Sequence, residues 1–201
     1  MLFQKQLIGK KSNDYLKSKT EIYYQGSRKT LAKLKSRLPQ TPIFHSSEEA
    51  VFTPVFLVGF PRSGTTLLDT ILRSHSKIEV VEEKPALDAA KTLLQHNGHD
   101  DLASNILTAK LLAEAKKAYR GEFDKHIDST NFAFVYIDKL PLNTVAIPLV
   151  NLLFPNAKII FTHRQPYDTV LSCFQQSFKP NSGMANLVSL KSSSIMYDQV
   201  M

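Results

Sequence analysis

The sequence has 201 residues, 43% hydrophobic and 21% charged, which suits one folded domain with or without an appendage and excludes a disordered chain. Its single cysteine, Cys173, excludes an intrachain disulfide, and no apolar run approaches the length of a bilayer span. The net charge of +7 is uneven: residues 1–40 hold ten Lys and Arg against Asp14 and Glu21, whereas the remainder holds fifteen basic and sixteen acidic residues.

The basic character thus belongs to the N-terminal segment. Residues 13–38 read as helical, with Leu31, Leu34 and Leu38 at i, i+3 and i+7 and lysines between them. Pro39 and Pro42 end the pattern. Without aromatic or basic groups arranged for groove or strand contact, the segment reads as a solvated helix face, not a nucleic-acid interface. The start, MLFQKQLIGKK, lacks the apolar core of a signal peptide, and with one cysteine a reducing, cytoplasmic location is the expectation. Residues 1–45 are taken as a basic helical segment and 52–201 as the main domain.

From Val55 the pattern becomes α/β. VFLVG is a short buried strand. A helix is predicted over 65–74, with Leu67, Leu68, Ile71 and Leu72 on one side. KIEVV (77–81) is a second strand, and 85–97 and 100–119 are two helices broken near Asn97-Gly98. FAFVYI (132–137) is a third strand. A helix over 142–153 is expected to kink at Pro148. AKIIFTH (157–163) is a fourth strand, and Pro166 opens a helix over 167–178. Alternation of this kind implies a parallel sheet with helices on both faces and a ligand site at the carboxyl ends of the strands. The tail after Phe178 offers no strand long enough to extend the sheet, so the domain is expected to be incomplete on its C-terminal side.

The chemistry concentrates in Gly59-x-x-x-x-Gly64-Thr65-Thr66, which leaves a strand and opens a helix, as a phosphate loop requires. Backbone N–H groups and the helix N-terminus favour an anion there, and Ser63, Thr65 and Thr66 add hydroxyls. The lysine of an ATP loop is replaced by Thr65, and the cation has moved to Arg62 at the tip. A P-loop NTPase or small-molecule kinase stays open as an alternative, because Asp138 ends the FVYID strand where a Mg²⁺-binding acid could stand. His163 reads as a structural histidine inside strand periodicity. His75 reads as helping to end the first helix, and His96 and His99 lack enough partners for zinc. Cys173 reads as a small core residue.

PRSGTT (61–66) resembles the 5′-phosphosulfate loop of sulfotransferases, which transfer a sulfuryl group from 3′-phosphoadenosine 5′-phosphosulfate (PAPS) to an acceptor hydroxyl or amine. The family's second motif is an arginine ending a strand and a serine eight residues later; FTHRQPYDTVLSCF supplies Arg164 and Ser172 at that separation. DKLPLN (138–143) and EVVEEKPAL (79–87) resemble the branch of tyrosylprotein sulfotransferases and bacterial repeat-fused sulfotransferases. What the resemblance implies is a P-loop-type sheet flanked by helices. It also implies PAPS and its product bisphosphate as partners held by Arg62, Ser63, Gly64, Thr65, Thr66, Arg164 and Ser172. Lys139 and Arg62 would act on the leaving oxygen and Glu83 as base, with no metal required. The acceptor stays open. A truncated, inactive remnant that acts by binding, with self-association through a bare sheet edge, is the remaining alternative.

Overall fold

The computed structural model describes residues 52–99, 107–128, 133–178, 181 and 183–201. The expected helix over 13–38 lies outside the described residues, as does the start of the helix expected from residue 100. β1 (Val55–Gly59) is buried along all but its first residue, as its unbroken apolar run requires of a strand covered on both faces. It is followed by α1 (Thr65–Arg73), β2 (Ile78–Glu82), α2 (Ala86–His96) and α3 (Ala109–Phe123). Then come β3 (Val135–Lys139), α4 (Ile147–Leu153), β4 (Ile159–Thr162), α5 (Pro166–Gln175) and α6 (Leu190–Val200), with short 3₁₀ turns between some of them. The strands form one parallel sheet in the order β2-β3-β1-β4. No helix among the described residues is long and apolar enough to cross a membrane.

The sheet divides two cores. Leu57, Val80 and Ile137 face α1, which lays Leu68 and Leu72 over them. Phe56, Val58 and Val81 face the opposite way, against α2, α3 and α4, where Leu94, Tyr119, Phe123 and Leu153 are fully buried. Each such side chain contributes about 1.5–3 kcal/mol by leaving water. A third cluster of Phe60, Cys173, Leu187 and Met196 ties the turn after β1 to α5 and α6.

Three expectations are corrected. Leu67 and Ile71 do not share the buried face of α1; they are exposed, and the buried positions of that helix include Thr65 and Asp69 instead. The third strand runs Val135–Lys139, not 132–137. Pairing with β2 sets this register, bringing Val80 opposite Ile137 and Glu82 opposite Lys139, and leaves Phe134 outside under the Lys77 ammonium. Pro148 does not kink a long helix: residues 141–146 form a 3₁₀ turn and Pro148 sits in the first turn of α4, where its missing N–H costs nothing.

Candidate functional site

The loop between β1 and α1 is fastened by the strand beside it. A Cβ on Gly59 would collide with Thr162 Oγ1 and lie 2.6 Å from the Thr162 carbonyl oxygen, so the close approach of β1 to β4 demands glycine. Ser63 Oγ and Thr162 Oγ1 share a 2.7 Å hydrogen bond, and Thr162 Oγ1 donates to Val58 O at 3.2 Å. The Cys173 thiol of α5 donates to Pro61 O, and burial pushes that thiol up to about 12, as a small core residue should behave. Gly64 caps α1 at φ 105° with no side chain to occupy the first N–H groups of the helix. Ser63 and Thr65 are buried and Thr66 is exposed.

Arg62 stands at the loop tip with φ 69°, a left-handed conformation uncommon for a side-chain-bearing residue. Its Nε donates to Ser172 Oγ at 3.1 Å. The loop and the helix of the second motif therefore meet in one place. Arg164 follows β4 by two residues and is half-exposed, with Nη2 3.6 Å from Asp168 Oδ2 on the first turn of α5. An exposed pair of this kind is weak, so the guanidinium can be drawn to a ligand at little cost.

The second centre lies at the ends of β2 and β3. Lys139 is fully buried, yet its Nζ donates to Glu82 Oε1 at 2.7 Å and to Glu83 Oε1 at 3.1 Å. A buried ammonium persists only when paired, and these carboxylates satisfy two of its three donors. Both glutamates are about half exposed, 46% and 54% at the side chain, so the cluster opens to solvent on their side. The Lys139 hydrogen bond, with its charge and that of Arg73, holds the Glu82 carboxyl below the usual range against a smaller opposing effect of burial. Glu83 has φ 52° and its N–H donates to Lys139 O at 2.7 Å, so the backbone fastens the residue to β3 while its carboxylate reaches Nζ. Arg62 and Glu83 are the only non-glycine residues at positive φ among the described residues.

Strand alternation turns Asp138 the other way. It lies 1% exposed, its Oδ2 accepts from Tyr119 OH at 2.9 Å, and its Oδ1 has no hydrogen-bond partner among the described residues. Burial lifts its carboxyl to about 7. This acid is directed at α3, across the sheet from α1, so it does not stand as the metal-holding carboxylate of a nucleotide loop.

The described histidines stay outside this arrangement. His75 does help end α1: its N–H donates to Leu72 O and its Nδ1 accepts from Lys77 N. His163 is not held inside the strand; it is exposed just past β4, with Nε2 3.5 Å from Tyr197 OH.

A family model described as "Sulfotransferase family" matches residues 54–198, almost the whole described domain. The chain belongs to the sulfotransferase family. The chain is also similar to an uncharacterized protein of Aquifex aeolicus (strain VF5), 37% identical over 138 residues. That match takes in 65% of the present chain and 18% of the relative, so the chain spans less than a fifth of the relative's length.

Within the domain, the glycine loop and the family resemblance had singled out Arg62, Ser172, Lys139 and Glu83, and the fold joins the first two directly and the last two directly. Arg164 is tied to neither pair by a hydrogen bond. Four participants escaped sequence reasoning. Thr162 holds the loop, Glu82 is the nearest carboxylate to Lys139, and Asp69 and Arg73 on α1 complete the charge cluster. Asp69 carried a legible signal, an acid four residues from both Thr65 and Arg73 on a helix side that also holds Leu68 and Leu72.

Proposed function

We propose that this protein binds PAPS and transfers its sulfuryl group to an acceptor hydroxyl or amine, within the branch that the Lys139 and Glu83 motifs resemble. The observation that carries the reading is the 3.1 Å hydrogen bond from Arg62 to Ser172, which brings the tip of the glycine loop to the helix of the second anion motif. One nucleotide bearing an anionic group at each end is the ligand such a pair of motifs fits. The loop N–H groups, Ser63, Thr65, Thr66 and Arg62 would hold the phosphosulfate, and Arg164 and Ser172 the 3′-phosphate.

In the step itself, the acceptor oxygen or nitrogen attacks sulfur as the bond from sulfur to the bridging oxygen breaks. The electron pair leaves with adenosine 3′,5′-bisphosphate, and the acceptor proton passes to Glu83. Lys139 and Arg62 offset the charge growing on the leaving oxygen, as fixed donors do for other developing anions. The Lys139–Glu83 contact suits both roles: once the ammonium turns to the leaving oxygen, the Glu83 carboxylate is released to accept a proton. Protein cations supply the charge that a kinase takes from Mg²⁺ and a loop lysine, and the inward-facing Asp138 weighs against the kinase reading.

Calorimetry tests the donor. Adenosine 3′,5′-bisphosphate should bind at least tenfold tighter than ATP with Mg²⁺. The reverse order would favour a kinase, and no binding of either would leave the reading without support. Transfer of ³⁵S from labelled PAPS to a panel of phenols, sugars, amines and tyrosyl peptides then tests the reaction.

A further inference from the structure

We propose that Asp69, clamped by Arg73, is a positioning residue that fixes Lys139 relative to the phosphosulfate loop; the inference rests on the sulfotransfer reading of the Lys139 site.

Lys139 has no exposure to solvent, so its ammonium needs a counter-charge in every state of a reaction. Its two hydrogen-bonded partners, Glu82 and Glu83, are half-exposed, and Glu83 must give up the contact if it is to take a proton from the acceptor. The remaining carboxylate is Asp69, whose side chain is 4% exposed and whose Oδ2 lies 3.9 Å from Nζ. That separation is close enough for charge attraction and too long for a hydrogen bond. Asp69 thus stabilises the ammonium without consuming the proton that Glu82 and Glu83 leave over, which stays available for an oxygen of the ligand.

The carboxylate is held still for this task. Arg73, one turn along α1, donates Nε to Asp69 Oδ1 and Nη2 to Oδ2, and its Nη2 also lies 3.6 Å from Glu82 Oε2. A two-pronged arginine contact fixes a carboxylate in plane as well as in distance. The helix that carries Asp69 and Arg73 is the one whose N-terminus closes the glycine loop. The chain Arg73–Asp69–Lys139 therefore refers the cation at the end of β3 to the anion site at the start of α1. A merely structural acid would not need to lie among Leu68, Leu72 and the sheet, where carboxylates are rare.

The test uses the full chain and two readouts. In ¹H–¹⁵N spectra of side-chain ammonium groups, buried Lys139 should give a signal shielded from exchange, assigned by its loss in Lys139→Arg. Asp69→Asn should abolish or shift that signal. It should lower kcat for transfer from PAPS at least 30-fold while the Kd for adenosine 3′,5′-bisphosphate, which lacks the sulfuryl group, changes less than threefold. Asp69→Glu should recover part of both. Arg73→Gln, at a partly exposed site, should give the same changes in smaller measure, and it decides the matter if Asp69→Asn does not fold. An unchanged ammonium signal and unchanged kcat in the folded variants would overturn the positioning role. If the wild-type protein transferred sulfuryl to no acceptor, the sulfotransfer reading would fall, and the ammonium signal would still judge whether Asp69 holds Lys139.

Discussion

Arg62 and Ser172 are separated by 110 positions in the chain, and Arg62 Nε donates to Ser172 Oγ at 3.1 Å. The contact follows from the parallel pairing of β1 and β4, which aligns Gly59 with Thr162 and so sets the loop after one strand beside the helix after the other. The left-handed backbone at Arg62 costs about 1–3 kcal/mol, and the Ser172 and Cys173 contacts to the loop hold it there.

Ser172→Ala removes one donor from the proposed 3′-phosphate site. A hydrogen bond to a charged group is worth about 1.5–3 kcal/mol, so affinity for adenosine 3′,5′-bisphosphate should fall roughly tenfold or more. Affinity for adenosine 5′-phosphosulfate, which has a 3′-hydroxyl, should fall by a smaller factor, through loss of the Arg62 contact alone. Calorimetry on both ligands reads the difference, and equal losses would remove Ser172 from the 3′-phosphate.

Gly59→Ala should destabilise the domain by about 2 kcal/mol or more, measured by urea unfolding. The added Cβ meets the Thr162 carbonyl at 2.6 Å and Ser63 Oγ at 2.8 Å. Side-chain rotation can clear the hydroxyl, but the carbonyl belongs to β4 and moves only with the strand. A variant as stable as the wild type would show that β1 and β4 can part without cost.

Asp138 gives the domain a pH dependence of definite sign. Burial, outweighing the Tyr119 hydrogen bond and assisted by repulsion from Asp88, raises its carboxyl from 3.8 to about 7 in the folded protein. Between those values the native state holds a proton that the unfolded chain has lost. The stabilising contribution is therefore complete below about pH 4, falls as pH rises toward 7 and is flat above it. At 1.36 kcal/mol per unit the total is on the order of 4 kcal/mol. Asp138→Asn keeps an acceptor for Tyr119 and cannot ionise. Urea midpoints from pH 4.5 to 8.5 should show the wild type losing stability relative to this variant across that window, and parallel curves would refute the assignment.

The legible part of the fold is the part where local pattern and tertiary demand agree. VFLVG and KIEVV are apolar runs of strand length, and both form strands within a residue of where they were expected. FAFVYI misled because the strand is set by pairing, not by its apolar content: β2 draws Asp138 and Lys139 into register and leaves Phe134 outside. The same register makes the Lys139 site. Alternation sends Ile137 and Lys139 to the α1 side and Asp138 to the other, a distinction that DKLPLN cannot convey by itself. The glycine-rich pattern marked residues of the loop, and resemblance to the family marked those of the second motif, because each motif is local. The Asp69–Arg73–Lys139 chain joins α1 to β3, and such long-range pairing becomes visible only when the sheet order is known.

Two adjacent carboxylates contact Lys139, and the proposal distinguishes them. Glu82 receives the shorter hydrogen bond, 2.7 Å against 3.1 Å, and has Arg73 within 3.6 Å as well. Two cations hold it ionised, with its carboxyl below the usual range, which makes it a poor acceptor for a proton. Among the described residues the Glu83 carboxylate pairs with Lys139 alone, and it is more exposed. Glu83→Gln should therefore lower kcat at least 100-fold, the scale of general-base loss, with the Kd for adenosine 3′,5′-bisphosphate changed less than threefold. Glu82→Gln should lower kcat less than tenfold, because Glu83 and Asp69 still pair the lysine. A larger loss from Glu82→Gln would transfer the base to that residue and leave Glu83 as the holder of Lys139.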